Sequence, residues 1–135
     1  MSSEESALSS ERVVQVNQSV TGIGTYTLWL PPITGEKVVL KGCALRAWVT
    51  TTCAGLTPGT GLYLMDLDLA HPILCIAVFK TATDAAGTDY GMVYGEFPGG
   101  YRLTNTTLTL RLSDLGSMTG GAIQVMGLVW GDESR

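Results

Sequence analysis

The sequence predicts an all-β domain, and three observations support that fold class. From Val13 onward, runs of about 6 to 10 residues rich in Val, Leu, Thr, Tyr and Trp are separated by clusters of Gly, Pro, Asp and Asn. Apolar and polar residues alternate within these runs, and in residues 107–112 Leu108, Leu110 and Leu112 share one face. No segment of eleven or more residues has the spacing of an amphipathic helix. Helical and alternating βαβ architectures are therefore disfavoured.

These patterns predict eight strands joined by short turns. The third strand is long, and we expect it to bend near Gly42. The Pro-Gly-Gly segment 98–100 is typical of a turn. The predicted strands are residues 13–20, 25–30, 37–52, 61–69, 73–80, 90–97, 107–112 and 121–130.

Eight antiparallel strands in a chain of 135 residues suit a single-domain antiparallel β-sandwich of the jelly-roll type. A closed barrel is the alternative. We predict a flexible acidic, Ser-rich arm at residues 1–12, the sandwich domain at residues 13–131 and a short C-terminal tail at residues 132–135.

Composition excludes two classes of partner. Charged residues are 15% of the chain, against about a quarter in a typical soluble protein. The formal net charge is -4 and the basic residues are scattered, so no Lys/Arg stripe is available to neutralise nucleic-acid phosphates. The longest nearly uncharged apolar stretch, residues 72–79, is far shorter than the roughly 20 residues of a membrane span. The acidic N-terminus is unlike a signal peptide, so we expect synthesis in the cytoplasm.

No constellation in the sequence predicts an enzyme or a cofactor. His71 is the only histidine, and no nucleophile elbow positions a serine for it. Asp66 and Asp68 share one face of a predicted strand, where they could bind an ion with His71 or Asp84. The alternative, which we favour, is that these two aspartates lie at the solvated end of a strand and discourage edge pairing. We therefore predict no metal site.

Cysteines and aromatic residues are assigned mainly to packing. Cys43, Cys53 and Cys75 are an odd number at irregular spacing, which predicts buried free thiols, with a Cys43 to Cys53 bridge as the alternative. The aromatic residues are expected in the core or at subunit contacts, although their faces are also suited to stacking against sugars. They are Trp29, Trp48, Trp130, Tyr26, Tyr63, Tyr90, Tyr94 and Tyr101.

Surplus apolar surface is the strongest positive signal for a role. Residues 73–79 are apolar on both faces of the predicted strand, and residues 121–130 leave almost no polar face. A sandwich covers only one face, so we expect a second copy of the chain to cover the other in a cyclic oligomer. The residues predicted at this interface are Leu74, Ile76, Val78 and Trp130.

The N-terminal segment is the other candidate contact. Its sequence, MSSEESALSSER, contains five Ser and three Glu. Such a segment is most often a disordered tail. The alternative is that it binds a neighbouring subunit or a partner, with Leu8 as its apolar anchor and Glu4, Glu5 and Glu11 as its charged contacts.

Taken together, the Thr-, Gly- and Val-rich strands of residues 13–130, the acidic arm from Ser2 to Glu11 and the lack of catalytic motifs resemble a known family. The chain is similar to the head decoration, or cement, proteins of tailed bacteriophages, which are built on a short jelly roll and assemble as trimers. The resemblance implies a homotrimer on the outer capsid surface, often at three-fold positions, that bridges subunits of the major capsid protein. Free thiols are consistent with assembly in a reducing cytoplasm.

The competing hypothesis is a glycan- or receptor-binding jelly roll, such as a fibre tip or a lectin-like module. It differs in requiring a specific ligand.

Overall fold

The computed structural model describes residues 10–22, 24–66, 72–104, 107–112 and 118–134. These residues form eight strands and no helix, which confirms the all-β prediction. No helix of the described residues is therefore long and apolar enough to cross a membrane. The strands are β1 (Ser10–Val20), β2 (Thr25–Trp29), β3 (Lys37–Ala54), β4 (Gly61–Asp66), β5 (Pro72–Val78), β6 (Asp89–Arg102), β7 (Leu108–Leu112) and β8 (Gly120–Ser134).

The strands form two four-stranded sheets with antiparallel pairing throughout. The first sheet has the order β1-β8-β3-β6, and the second has the order β2-β7-β4-β5. One apolar cluster draws side chains from both sheets, including Leu45 and Val125 from the first and Leu62 and Leu64 from the second. The fold is therefore β-sandwich-like, with its core built from both sheets.

Strand ends differ most from the prediction in the first sheet. β1 begins at Ser10, so the last three residues assigned to the arm pair with the end of β8, where Ser10 lies opposite Glu133. β8 correspondingly continues to Ser134, beyond the predicted start of the C-terminal tail. Glu133 explains the extension: it is buried and accepts hydrogen bonds from Arg12 Nη1 at 2.9 Å and from Trp29 Nε1 at 2.8 Å. This carboxylate joins β1 and β8 to β2 of the other sheet.

The Pro-Gly-Gly segment does not end a strand, contrary to the predicted turn. β6 runs on to Arg102, and the register shifts so that Gly42 pairs with Glu96 while Leu40 pairs with Tyr101. The surplus residues of β6 loop out as a wide bulge, which Gly99 and Gly100 allow with φ values of 80° and 83°. The predicted irregularity of β3 near Gly42 lies opposite this bulge.

Candidate functional site

Exposed apolar side chains, with polar ones such as Gln15 and Asn17 among them, lie on the side of the first sheet that faces away from the core. In β8, Val125 and Val129 are buried, whereas Met126 and Leu128 between them are 38% and 42% exposed. The other members, on β1 and β6, are 60% exposed or more. We call this surface the outer face; it consists of Val13, Met92, Tyr94, Met126 and Leu128.

Strand register brings these residues together in rows across the sheet. Leu128 of β8 pairs with Ala44 of β3, which in turn pairs with Tyr94 of β6. The neighbouring row joins Met126 to Met92 through Arg46. Because paired residues of adjacent strands lie about 4.5–5.5 Å apart, Leu128, Ala44 and Tyr94 form one continuous apolar row. In the neighbouring row Arg46 separates the two methionines.

Three basic residues of the first sheet form ion pairs within the chain. Arg46 lies between the two methionines, donates to Asp89 at 2.5 Å and stacks over Trp48 at 5.7 Å. Lys41 pairs with Asp132 at 3.0 Å and Arg12 with Glu133 at 2.9 Å. A partner that covers the outer face therefore meets apolar side chains, ion pairs already formed within the chain, and the exposed carboxylates of Glu11 and Glu96.

The four residues predicted at the oligomer interface do not form one surface. Trp130 is half-buried on β8 of the first sheet, whereas the other three lie on β5 of the second. Ile76 is 1% exposed and belongs to the core, so the structure removes it from any exposed interface. Leu74 is half-buried and packs towards Gly95 of β6, and Val78 is 50% exposed. Of the β5 residues predicted, Val78 alone offers a largely exposed side chain.

Among the predicted arm contacts, Glu11 is exposed on β1, opposite Asp132 of β8. Glu4, Glu5 and Leu8 lie outside the described residues.

Asp66 is a structural carboxylate and not a solvated strand end as the sequence suggested. It shares the buried face of β4 with Leu62 and Leu64, and all three are 0% exposed. Its Oδ2 accepts hydrogen bonds from the backbone N–H and the hydroxyl of Thr104, each at 2.7 Å. Asp68 and His71 lie outside the described residues, and within the described residues no three potential ligands group together for a metal ion.

Asp84 holds the loop between β5 and β6. It is buried and accepts hydrogen bonds from Tyr90 Oη at 2.6 Å, from the backbone N–H of Lys80 at 3.2 Å and from the backbone N–H and hydroxyl of Thr81. Burial alone raises the pKa of this carboxyl, but the donated hydrogen bonds outweigh it and the pKa lies below the usual value.

This arrangement predicts an acid-dependent loss of stability. Because the folded pKa of Asp84 is lowered, its contribution is complete above the unfolded value near 4 and disappears as the pH falls below it. We expect Asp84→Asn to lower the free energy of unfolding by about 2 kcal/mol at pH 7. Each carboxylate oxygen accepts two hydrogen bonds, and in the variant an amide N–H group, itself a donor, would face one of these pairs of donors. Urea unfolding from pH 2.5 to pH 7 should show a shallower acid limb in Asp84→Asn, with Tyr90→Phe in between. An unchanged acid limb in Asp84→Asn would contradict this role.

The cysteines are free, as predicted. Cys43 and Cys53 lie on the same strand, and ten residues at about 3.3 Å each separate them by about 30 Å, far beyond the reach of a disulfide. Burial raises the pKa of all three thiols, which keeps them protonated and weakly nucleophilic.

A groove of about 570 Å³ opens beside the outer face, where β3 and β6 separate at the bulge. We call it the bulge groove; it is lined by Lys41, Glu96, Phe97, Pro98, Gly99 and Trp130. Sequence reasoning considered Trp130 for stacking and for oligomer contacts, but it missed the other five. The only available signal was the Pro-Gly-Gly segment, which is equally typical of an ordinary turn.

Comparisons with known proteins do not assign the chain to a family. No family model, no curated protein and no solved structure matches the chain.

Proposed function

We propose that the protein is a structural accessory protein of a virus particle, which forms a homotrimer and binds the outside of an assembled capsid as a decoration protein. The outer face is the observation that favours this function most. The largest exposed apolar patch of a protein is often an interaction site. This role requires no chemistry on a substrate.

The pairing of the strands supports the jelly-roll form of the sandwich. β1 pairs with β8, β2 with β7, β3 with β6 and β4 with β5, all antiparallel. This nesting is expected when one long hairpin of eight strands rolls up so that successive pairs fall alternately in two sheets. Viral capsid proteins and lectins both use jelly rolls of eight strands, so the topology agrees with the proposed function and with its competitor.

A second copy of the same chain is the occupant that best fits the outer face. Four strands about 4.8 Å apart and four rows about 6.8 Å apart give a face of about 500 Å². A standard interface buries about 800 Å² on each partner, so this face can supply the apolar centre and the surrounding polar residues its rim. The exposed apolar side chains of the face lie mainly on β8, in one half of the sheet, and on β6, in the other half. The β8 half can therefore contact the β6 half of a neighbour around a three-fold axis.

Binding only to the assembled lattice stabilises the shell by mass action, and three copies raise the avidity above that of one contact. The arm is proposed to supply one of these contacts. Because β1 begins at Ser10, the deletion that tests it removes residues 1–9 and leaves the strand intact.

We expect this deletion to keep the melting temperature within about 2 °C and to weaken binding to shells at least about tenfold, because three linked contacts are lost. The measurement is co-sedimentation with empty expanded heads assembled from the major capsid protein encoded in the same genome. A triple variant, Glu4→Gln, Glu5→Gln and Leu8→Ser, is the full-length control. Unchanged occupancy would remove the arm from the mechanism, and no binding of the unaltered protein would overturn the decoration function.

A further inference from the structure

We propose that the bulge groove binds carbohydrate, specifically a neutral hexopyranose unit of a glycan. This activity goes beyond the structural function and does not depend on it.

The groove is a consequence of the paired irregularities in β3 and β6. Between Glu96 and Tyr101 the chain of β6 leaves the ladder, and Pro98 and Gly99 form a wall beside Lys41. Bulges of this kind redirect side chains and are frequent beside functional sites. The volume of about 570 Å³ lies within the range of about 300–1,000 Å³ that is typical of small-molecule sites.

An indole ring provides the apolar floor of the groove. The indole ring of Trp130 lies over Gly42. A Cβ atom on Gly42 would be only 2.4 Å from Cζ2 of Trp130, so the ring can occupy this position because residue 42 has no side chain. The ring of Tyr94 is tilted beside it at 6.1 Å between centroids. The negative face of an aromatic ring attracts the weakly positive C–H groups on one face of a pyranose. This arrangement therefore offers a stacking platform.

Polar groups suited to hydroxyls surround the platform. Lys41 uses one N–H on Asp132, at 3.0 Å, and an ammonium has two more to donate. Glu96 accepts the Tyr94 hydroxyl at 2.6 Å through Oε1, which leaves Oε2 as an acceptor. No acceptor for Trp130 Nε1 occurs among the described residues. A sugar hydroxyl both donates and accepts, so it can use a carboxylate and an N–H together.

The charges of the groove favour a neutral ligand. One positive group, Lys41, is already paired with Asp132, and Glu96 adds a second negative charge. Phosphate, sulfate and sialic acid would therefore be repelled by a site of net negative charge, whereas a neutral hexose would not be repelled.

The test is calorimetric titration with lactose, maltotriose, cellotriose, mannotriose and chitotriose. We expect at least one to bind with a Kd below about 5 mM. Trp130→Ala should weaken that binding at least about tenfold through loss of stacking, and Glu96→Gln about fivefold through loss of a charged acceptor. Trp48→Ala is the matched control, because Trp48 stacks with Arg46 outside the groove. The affinity of this variant for the sugar should stay within about twofold of that of the unaltered protein.

Glu96 is exposed, so Glu96→Gln tests the site even if Trp130→Ala does not fold. No binding to any of these sugars up to about 10 mM would overturn the proposal. Equal affinity in both groove variants, or binding of only anionic glycans or a Pro-rich peptide, would overturn it as well. Light scattering on Glu96→Gln distinguishes a failure of the sugar-binding proposal from a failure of the trimer proposal. We expect this variant to self-associate like the unaltered protein whether or not it binds sugar.

Discussion

Gly127→Ala is expected to destabilise the protein by about 3–5 kcal/mol, a large part of the 5–15 kcal/mol typical of a whole domain. Gly127 lies between Met126 and Leu128 in β8 and has a φ of +146°, which side-chain-bearing residues rarely adopt. A Cβ atom there would be 2.0 Å from the carbonyl oxygen of Ala44 in the adjacent strand. That oxygen belongs to the sheet backbone and cannot move aside without breaking the pairing of β3 with β8.

Gly120→Ala is the matched control for this prediction. Gly120 begins the same strand, and a Cβ atom there would meet nothing within 4 Å. We expect its free energy of unfolding to change by less than about 0.5 kcal/mol. Urea unfolding, followed by tryptophan fluorescence and by circular dichroism, measures both variants. If Gly127→Ala were as stable as Gly120→Ala, the close approach of β8 to β3 would be wrong.

Leu128→Lys is expected to dissociate the proposed trimer into single chains. Leu128 lies in the middle of the outer face, and a lysine there would place an unpaired ammonium inside an apolar contact. Because Leu128 is already 42% exposed in the single chain, the same substitution should alter the folding of that chain little. We expect the dissociation constant of the oligomer to rise at least about 100-fold.

Val78→Lys is the control that separates two interfaces. Val78 is 50% exposed on β5 of the second sheet, so the two substitutions introduce the same charge at similar exposure. If the outer face is the interface, Val78→Lys keeps the assembled mass. Dissociation by Val78→Lys with an intact Leu128→Lys assembly would move the interface to β5.

Strand positions were predictable because the pleat imposes a period of two and turns need particular residues. The Leu/Thr alternation of residues 107–112 placed β7. Alternation in residues 121–130 also indicated two apolar faces of β8, and the structure buries one and exposes the other.

Features that depend on distant partners were not predictable. Asp66 is an acidic residue at a strand end, and only the fold brings Thr104 to its carboxylate. The extension of β1 to Ser10 depends on Glu133, more than one hundred residues away. Likewise, both faces of β5 are apolar, and only packing shows that Ile76 is buried while Val78 is exposed.

The bulge groove was not predictable for the same reason, because it depends on residues that are distant in the sequence. Its parts come from β3, β6 and β8, and their register depends on a bulge that local sequence does not distinguish from a turn. Trp130 alone was singled out from sequence, because its residue type suits both contact and stacking. The contact of its ring with Gly42 follows from the pairing of these two residues across the sheet.

The solution mass of the purified chain tests most directly whether the outer face is a subunit interface. Light scattering behind a sizing column should give three times the mass of one chain for the unaltered protein at micromolar concentration. A mass of one chain, maintained as the concentration is raised to several hundred micromolar, would contradict the proposed trimer and its role on a capsid.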